Sequence, residues 1–193
     1  MNKISTGSMQ RYAELKDSQY ARRITRKEKS MASENFELTI SRLLNAPRSA
    51  VWQAWSDPKQ LAKWWCPRPW TTEVRGFDLR PGGVFYTLMR GPDGDTSDNP
   101  GVFLEILPQE RIVFTSSLLE GWRPATPWLA MTAIVTMEDE GKSTRYTARV
   151  LHKDEEDQRK HEEMGFHEGW GICIEQLCEL ARELALDTQV LRR

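Results

Sequence analysis

The sequence predicts a two-layer α+β domain, with one curved antiparallel sheet covered on a single face by a long C-terminal helix. Three observations carry that expectation. Phe36-Glu-Leu-Thr-Ile and the segment 143–151 alternate apolar and polar residues, the period of a half-buried strand. Between them lie several apolar runs separated by Gly- and Pro-rich turns, the spacing of an antiparallel meander. The period then changes: Met164, His167, Trp170, Gly171, Ile174, Leu177, Cys178, Ala181, Leu184 and Ala185 recur every three or four residues, an apolar stripe along one helix.

The elements follow in order. Phe36, Leu38 and Ile40 point to one side of the first strand. Pro47 suits the first position of a short helix carrying Val51, Trp52 and Trp55. Asp57-Pro58 supplies an N-cap followed by proline at the first helical position, which starts a second short helix through Leu61, Trp64 and Trp65. Pro67 and Pro69 stop it. Pro81-Gly82-Gly83 then turns the chain into a strand over 84–90, and Gly91-Pro-Asp-Gly turns it again. Further strands are expected over 101–107, 111–117, 128–137 and 143–151. In the last of these Arg145, Thr147 and Arg149 alternate with Tyr146, Ala148 and Val150, so one sheet face is wet and the other covered.

Composition bounds the function. A chain of 193 residues suits one domain plus an appendage and can bury a sizeable core. Lys and Arg number 27 against 28 acids, so no global field draws the chain to nucleic acid. No apolar run approaches the roughly 20 residues of a bilayer span, and no signal-peptide core is visible. Integral membrane association is not expected. Three cysteines without metal-like spacing suit a reducing cytoplasm. Residues 1–30 carry eight Lys or Arg against three acids. This basic leader reads either as a solvated, flexible extension or as an arm for an acidic partner. Met31-Ala-Ser reads as a second start. The expected organisation is an extension over 1–33, a domain over 34–187 and a tail over 188–193.

The order of strand, two short helices, meander and long final helix resembles the helix-grip fold of the SRPBCC (START-like) superfamily. Within it the chain resembles the bacterial branch related to the C-terminal domain of the heat-shock-protein-90 ATPase activator. The segments that carry the resemblance are Ala46-Pro-Arg-Ser-Ala-Val-Trp-Gln-Ala-Trp, Trp64-Trp-Cys-Pro, Asp78-Leu-Arg-Pro-Gly-Gly, Met89-Arg-Gly-Pro-Asp-Gly, Gly101-Val-Phe-Leu-Glu-Ile-Leu-Pro and Gly169-Trp-Gly through Ala185. Cys66 stands where this branch more often has glycine, and the basic leader has no counterpart in the pattern. The full co-chaperone has a separate N-terminal domain that engages the chaperone, which thirty basic residues cannot replace. The resemblance therefore implies a ligand-binding scaffold more than ATPase activation.

Strand parity proposes an inner sheet face of Phe85, Thr87 and Met89, then Ile112, Phe114 and Ser116, then Met131, Ala133, Val135 and Met137. Two readings stand: these residues pack solidly, or several line a cavity under the helix, as the resemblance implies. A ligand site needs mostly apolar walls and a few orienting polar groups, and flexible methionines suit it. The candidate ligand-binding set is Trp65, Phe85, Thr87, Met89, Phe114, Ser116, Met131, His167, Trp170 and Ile174. His167, on the helical stripe one turn before Trp170, is the polar candidate; the rival reading is a buried histidine bonded to a strand carbonyl. Trp64 and Trp65 differ by about 100° on a helix, so one of them, Trp65, is expected to face inward. Gly165, Gly169 and Gly171 weaken this half of the helix, implying a close approach or a bend. Cys66 reads as a plain loop cysteine rather than a reactive thiol.

No metal, cofactor or catalytic motif emerges. His161, Glu162 and His167 lack the His-Glu-x-x-His geometry, and there is no phosphate loop or Gly-x-Ser-x-Gly elbow. Asp93, Asp95, Asp98 and the acidic run 154–157 read as solvated turns. The leading expectation is a binding module for a small hydrophobic or amphipathic molecule in a cavity between sheet and helix. The alternatives are an enzyme of the aromatase/cyclase type using the same cavity, and a stress-related protein with a chaperone partner.

Overall fold

The computed structural model describes residues 36–190. The basic extension and the readings attached to it lie outside the described residues. Strand β1 (Glu37–Leu44) is followed by helices α1 (Arg48–Ser56) and α2 (Pro58–Leu61). The meander comprises β2 (Thr71–Phe77), β3 (Phe85–Arg90), β4 (Thr96–Asn99), β5 (Val102–Leu107) and β6 (Arg111–Thr115). A small ribbon of β7 (Leu118–Leu119) and β8 (Arg123–Pro124) leads into β9 (Met131–Glu140) and β10 (Ser143–His152). Two helices, α3 (Glu155–Glu163) and α4 (Phe166–Val190), finish the fold.

This is the helix-grip arrangement, with the long α4 against a curved antiparallel sheet. Five strands pair in the order β1-β10-β9-β6-β5, and a second set pairs as β2-β3-β4. The Phe85 N–H donates to the Gly101 carbonyl at 2.9 Å, and the Phe103 N–H donates to Gly83 at 3.0 Å, so the two sets meet edge to edge. Gly101 is required at that seam, because a Cβ there would collide with the Thr115 carbonyl oxygen. Strands β2 and β4 lack a sequence signal of comparable strength, since their burial alternates only between exposed and half-buried.

Sheet parity follows the sequence pattern. Leu38 and Ile40 are buried on β1, and Tyr146, Ala148 and Val150 on β10. The opposite face carries ion pairs such as Arg145–Glu140 at 2.8 Å and Arg149–Glu37 at 2.6 Å. Exposed pairs of this kind add little to stability.

Two of the helix starts are capped by an aspartate side chain. Asp57 caps α2 by accepting from the Lys59 N–H at 2.8 Å, as expected. Pro47, however, occupies the cap position of α1 rather than its first turn. Asp154 accepts from the Asp157 N–H at 2.9 Å and starts α3. The acidic run 154–157 is therefore a helix N-terminus, with Glu155, Glu156 and Asp157 set against the positive end of the helix dipole.

The C-terminal helix is broken. Gly165 has φ +86°, a left-handed conformation that ends α3 and lets α4 start in a new direction. This is the bend that the glycines implied. Gly169 and Gly171 have no atom closer than 3.9 Å to a would-be Cβ, so no close approach requires them.

Trp55 is fully buried at the centre of the core. Its ring stands edge-on to Trp64 and to Trp65, each with centroids 5.0 Å apart. Such pairs add about 0.5–1.5 kcal/mol each beyond the area they bury. The loop carrying Trp64 and Trp65 is tied to α4 by Gln176. Its amide nitrogen donates to the Trp64 carbonyl at 3.1 Å and the Cys66 carbonyl at 2.8 Å. Its amide oxygen accepts from the Arg68 N–H at 3.0 Å. Replacing Gln176 by Met keeps the volume but leaves three backbone groups without these partners. The expected cost is about 3 kcal/mol in chemical denaturation; a change below about 0.5 kcal/mol would contradict this role for the amide.

Candidate functional site

The concave sheet face, α3, α4 and the tryptophan loop surround a cavity of about 400 Å³. From β3 it receives Phe85, Thr87 and Met89, and from β6 Phe114. Ser116 and Met131 come from the end of β6 and the start of β9. Trp65 closes one side, and Trp170 and Ile174 descend from α4. Nine of the ten residues singled out in the sequence therefore surround one space. Parity found the six that belong to the sheet, because β3, β6 and β9 each turn alternate side chains to the same concave face.

His167 is the exception. Its side chain is exposed, and it lies outside the cavity lining. The sequence stripe ran through the break at Gly165 as though one helix were continuous. In α4 the inward positions are Phe166, Trp170 and Ile174, four residues apart, and His167 sits one step, about 100°, round from Phe166.

The histidine in the wall is His161, on α3, which the sequence pattern brings up only as a metal ligand of unsuitable spacing. Only 7% of it is exposed. Its Nδ1 lies 3.0 Å from His152 Nε2, and its ring stands edge-on to Phe166 at 5.0 Å. Asp157 and His161, four residues apart and both buried, carry the helical signal that could have placed it inward.

Trp64 and Trp65 both line the cavity, and the fully buried one is Trp64 rather than the expected Trp65. Helix α2 ends at Leu61, so the 100° spacing does not apply to them. Trp64 is buried, and its indole N–H donates to the Ala54 carbonyl at 3.0 Å. Trp65 is half-buried, edge-on to Phe85 at 5.2 Å and to Phe114 at 5.6 Å. Trp128 and Met164 also line the cavity, yet about half of each is exposed, which places them at its opening. The Lys160 ammonium donates to the Trp128 carbonyl and sits 5.5 Å above the Trp128 ring, holding this rim residue against α3.

Several polar groups of the wall are engaged in hydrogen bonds. The Ser116 hydroxyl donates to the Leu129 carbonyl at 2.8 Å and accepts from the Met131 N–H at 3.1 Å. Thr115 donates to the Met131 carbonyl at 2.8 Å. Burial pushes the Cys173 thiol up to about 12, and it raises the Tyr146 hydroxyl as well, against a smaller opposing effect of Trp55. Burial also raises the Cys66 thiol, which accepts from the Thr72 hydroxyl at 3.0 Å. Burial first, and the neighbouring His152 second, lower His161 from 6.5 to about 4. Among the described residues lining the cavity none is Asp, Glu, Lys or Arg. Near neutral pH the wall therefore carries no formal charge. Elsewhere among the described residues, no cluster of three or more His, Cys, Asp or Glu is arranged to hold a metal, and no helix is long and apolar enough to cross a membrane.

Residues 45–182 match the family described as activator of Hsp90 ATPase homolog 1-like protein. The chain belongs to this family. A solved protein from Nitrosomonas europaea is 43% identical, with a TM-score of 0.72 over 76% of this chain and 94% of its own. One from Arthrobacter aurescens is 29% identical, with a TM-score of 0.68 over 77% of this chain and 87% of its own. One from Mycobacterium smegmatis is also 29% identical, with a TM-score of 0.66 over 76% of this chain and 90% of its own. No curated protein matches the chain. The matched span includes every cavity residue of this family member named above.

The buried histidine pair makes stability depend on pH in a defined direction. Burial lowers His152 also, with the Phe36 carbonyl, Asp157 and Asp154 opposing. The unfolded chain takes up protons near 6.5 that the folded chain refuses until about 4, so stability falls with pH across that window. Between pH 7 and 5 the His161 contribution amounts to about 2 kcal/mol. Glu73 and Glu140, held low by their arginine partners, remain ionised there. Denaturation at pH 7, 6 and 5 should show this loss in the native chain and less than half of it in His161→Phe. Equal losses in both would refute the assignment.

Proposed function

We propose that this chain is a non-catalytic binding module for a small hydrophobic or amphipathic molecule held between the sheet and α4. The carrying observation is a 400 Å³ cavity walled by aromatic rings and methionines with no charged side chain among its lining residues. That volume lies within the roughly 300–1,000 Å³ range of small-molecule sites, and apolar walls with few polar groups are their usual chemistry. Met89 and Met131 supply adaptable contacts.

The aromatase/cyclase reading needs several polar groups free to converge on a substrate. Here Thr115 and Ser116 are bonded to the backbone, and the Cys173 thiol is held protonated. A histidine lowered to about 4 is a weak base at neutral pH. These features favour holding a molecule over transforming one. The three free thiols, Cys66, Cys173 and Cys178, suit a reducing compartment, and a cytoplasmic location belongs to the proposal.

The neutral fluorophore N-phenyl-1-naphthylamine tests this reading. It should bind saturably at one site per chain. Met131→Trp, which adds ring volume inside the cavity, should weaken binding by about tenfold or more, a loss of at least 1.4 kcal/mol. Thr39→Trp, on the exposed face of β1, should leave it unchanged. No saturable signal, or equal affinity in both variants, would sink the cavity as a binding site.

A further inference from the structure

The two buried histidines form a chain whose proton positions are dictated at one end. His152 closes β10 by donating its backbone N–H to the Phe36 carbonyl at 2.8 Å. Its Nδ1 lies 3.2 Å from the same oxygen. A carbonyl oxygen can only accept, so Nδ1 of His152 carries the proton. In the neutral ring Nε2 is then bare, and it lies 3.0 Å from Nδ1 of His161. Nδ1 of His161 must therefore be the donor, and its single proton is committed there. What remains is Nε2 of His161, a lone pair with no protein donor among the described residues. The ring that bears it is more than nine-tenths buried and forms part of the cavity wall.

We propose that His161 Nε2 is the polar anchor of the cavity and accepts a hydrogen bond from a hydroxyl or N–H group on a neutral, largely apolar ligand. This rests on the reading of the cavity as a binding site and narrows its ligand class. The relay from Phe36 through His152 fixes the tautomer, so at His161 the wall presents an acceptor and not a donor. A carboxylate or phosphate head would meet a lone pair and an uncharged wall, and is excluded on both counts. A ligand carrying only acceptors, such as an ether or an ester, would leave Nε2 buried and unpaired. Phenols, alcohols and amides with aromatic or aliphatic bodies fit, since Phe166 and Trp170 flank the same ring at 5.0 and 6.3 Å. Burial keeps His161 neutral far below physiological pH, which holds the acceptor available.

The probes are 2-naphthol and 2-methoxynaphthalene, which share a ring system and differ in the donor. Calorimetric titration gives the ratio of their affinities in the native chain and in His161→Phe, which keeps a ring against Phe166 and Trp170. The preference for the naphthol should fall by about fivefold in the variant, the effect of one hydrogen bond. An unchanged preference, with both compounds bound, overturns the anchor and leaves the cavity reading intact. Failure of both compounds to bind the native chain overturns the cavity reading, and the anchor with it. Imidazole 15N spectra of the native protein provide a readout that needs no variant. They should show His161 protonated at Nδ1, with the bare Nε2 resonance moved upfield by 2-naphthol and not by its methyl ether. A proton on Nε2 in the unliganded protein would also overturn the proposal.

Discussion

Gln176 stands on the inner side of α4 and commits both ends of its amide to the loop that carries Trp64 and Trp65. That loop has left the helix at Leu61 and has no ladder of its own to satisfy its backbone. Three of its polar groups would otherwise be stranded against a hydrophobic core, at a cost of about 1–3 kcal/mol each. With the clamp in place, Trp64 seals against Trp55, and Trp65 is held over Phe85 and Phe114 as a wall. The space between sheet and helix stays open because its sides are fixed by hydrogen bonds rather than left to collapse onto each other. Rigid walls of this kind are what allow an interior space to persist in a close-packed protein.

The helix break at Gly165 supplies the second constraint. It separates α3 from α4, so His161 and Phe166 can both reach the same wall. Polar chemistry is distributed with economy around that wall. Hydroxyls at Thr115 and Ser116 stitch β6 to β9, and two histidines are joined in a directed chain to a backbone carbonyl. The wall is left uncharged and mostly apolar, with one imidazole nitrogen unclaimed. Such a surface discriminates by shape and hydrogen bonding, not by charge. The family resemblance fixes the scaffold, and the chemistry of a particular member has to be read from wall residues such as these.

Much of this was legible in the sequence, for physical reasons that can be named. Period-two alternation placed Phe85, Thr87, Met89, Phe114 and Met131 on one face because a strand permits no other arrangement. The Asp57-Pro58 start of α2 was readable because the cap is local chemistry. Helix phase was not. A stripe from Met164 to Ala185 satisfies a single helix, and only a left-handed Gly165 resets it, so the pattern points His167 inward where the structure has Phe166. The acidic run 154–157 resembles a solvated turn until Asp154 is recognised as a cap, and without α3 the position of His161 has no meaning. Gln176 carries no signal at all, because its value depends on a loop about 110 residues away.

The proposed occupant of the interior is a small, neutral, mostly apolar molecule. Native mass spectrometry of the protein purified without detergent, followed by solvent extraction, tests it most directly. The expected result is a complex with one small molecule per chain, whose extracted mass belongs to an uncharged compound bearing a hydroxyl or N–H group. A bare chain that stays bare after incubation with a panel of neutral aromatic and aliphatic alcohols and amides would contradict the claim.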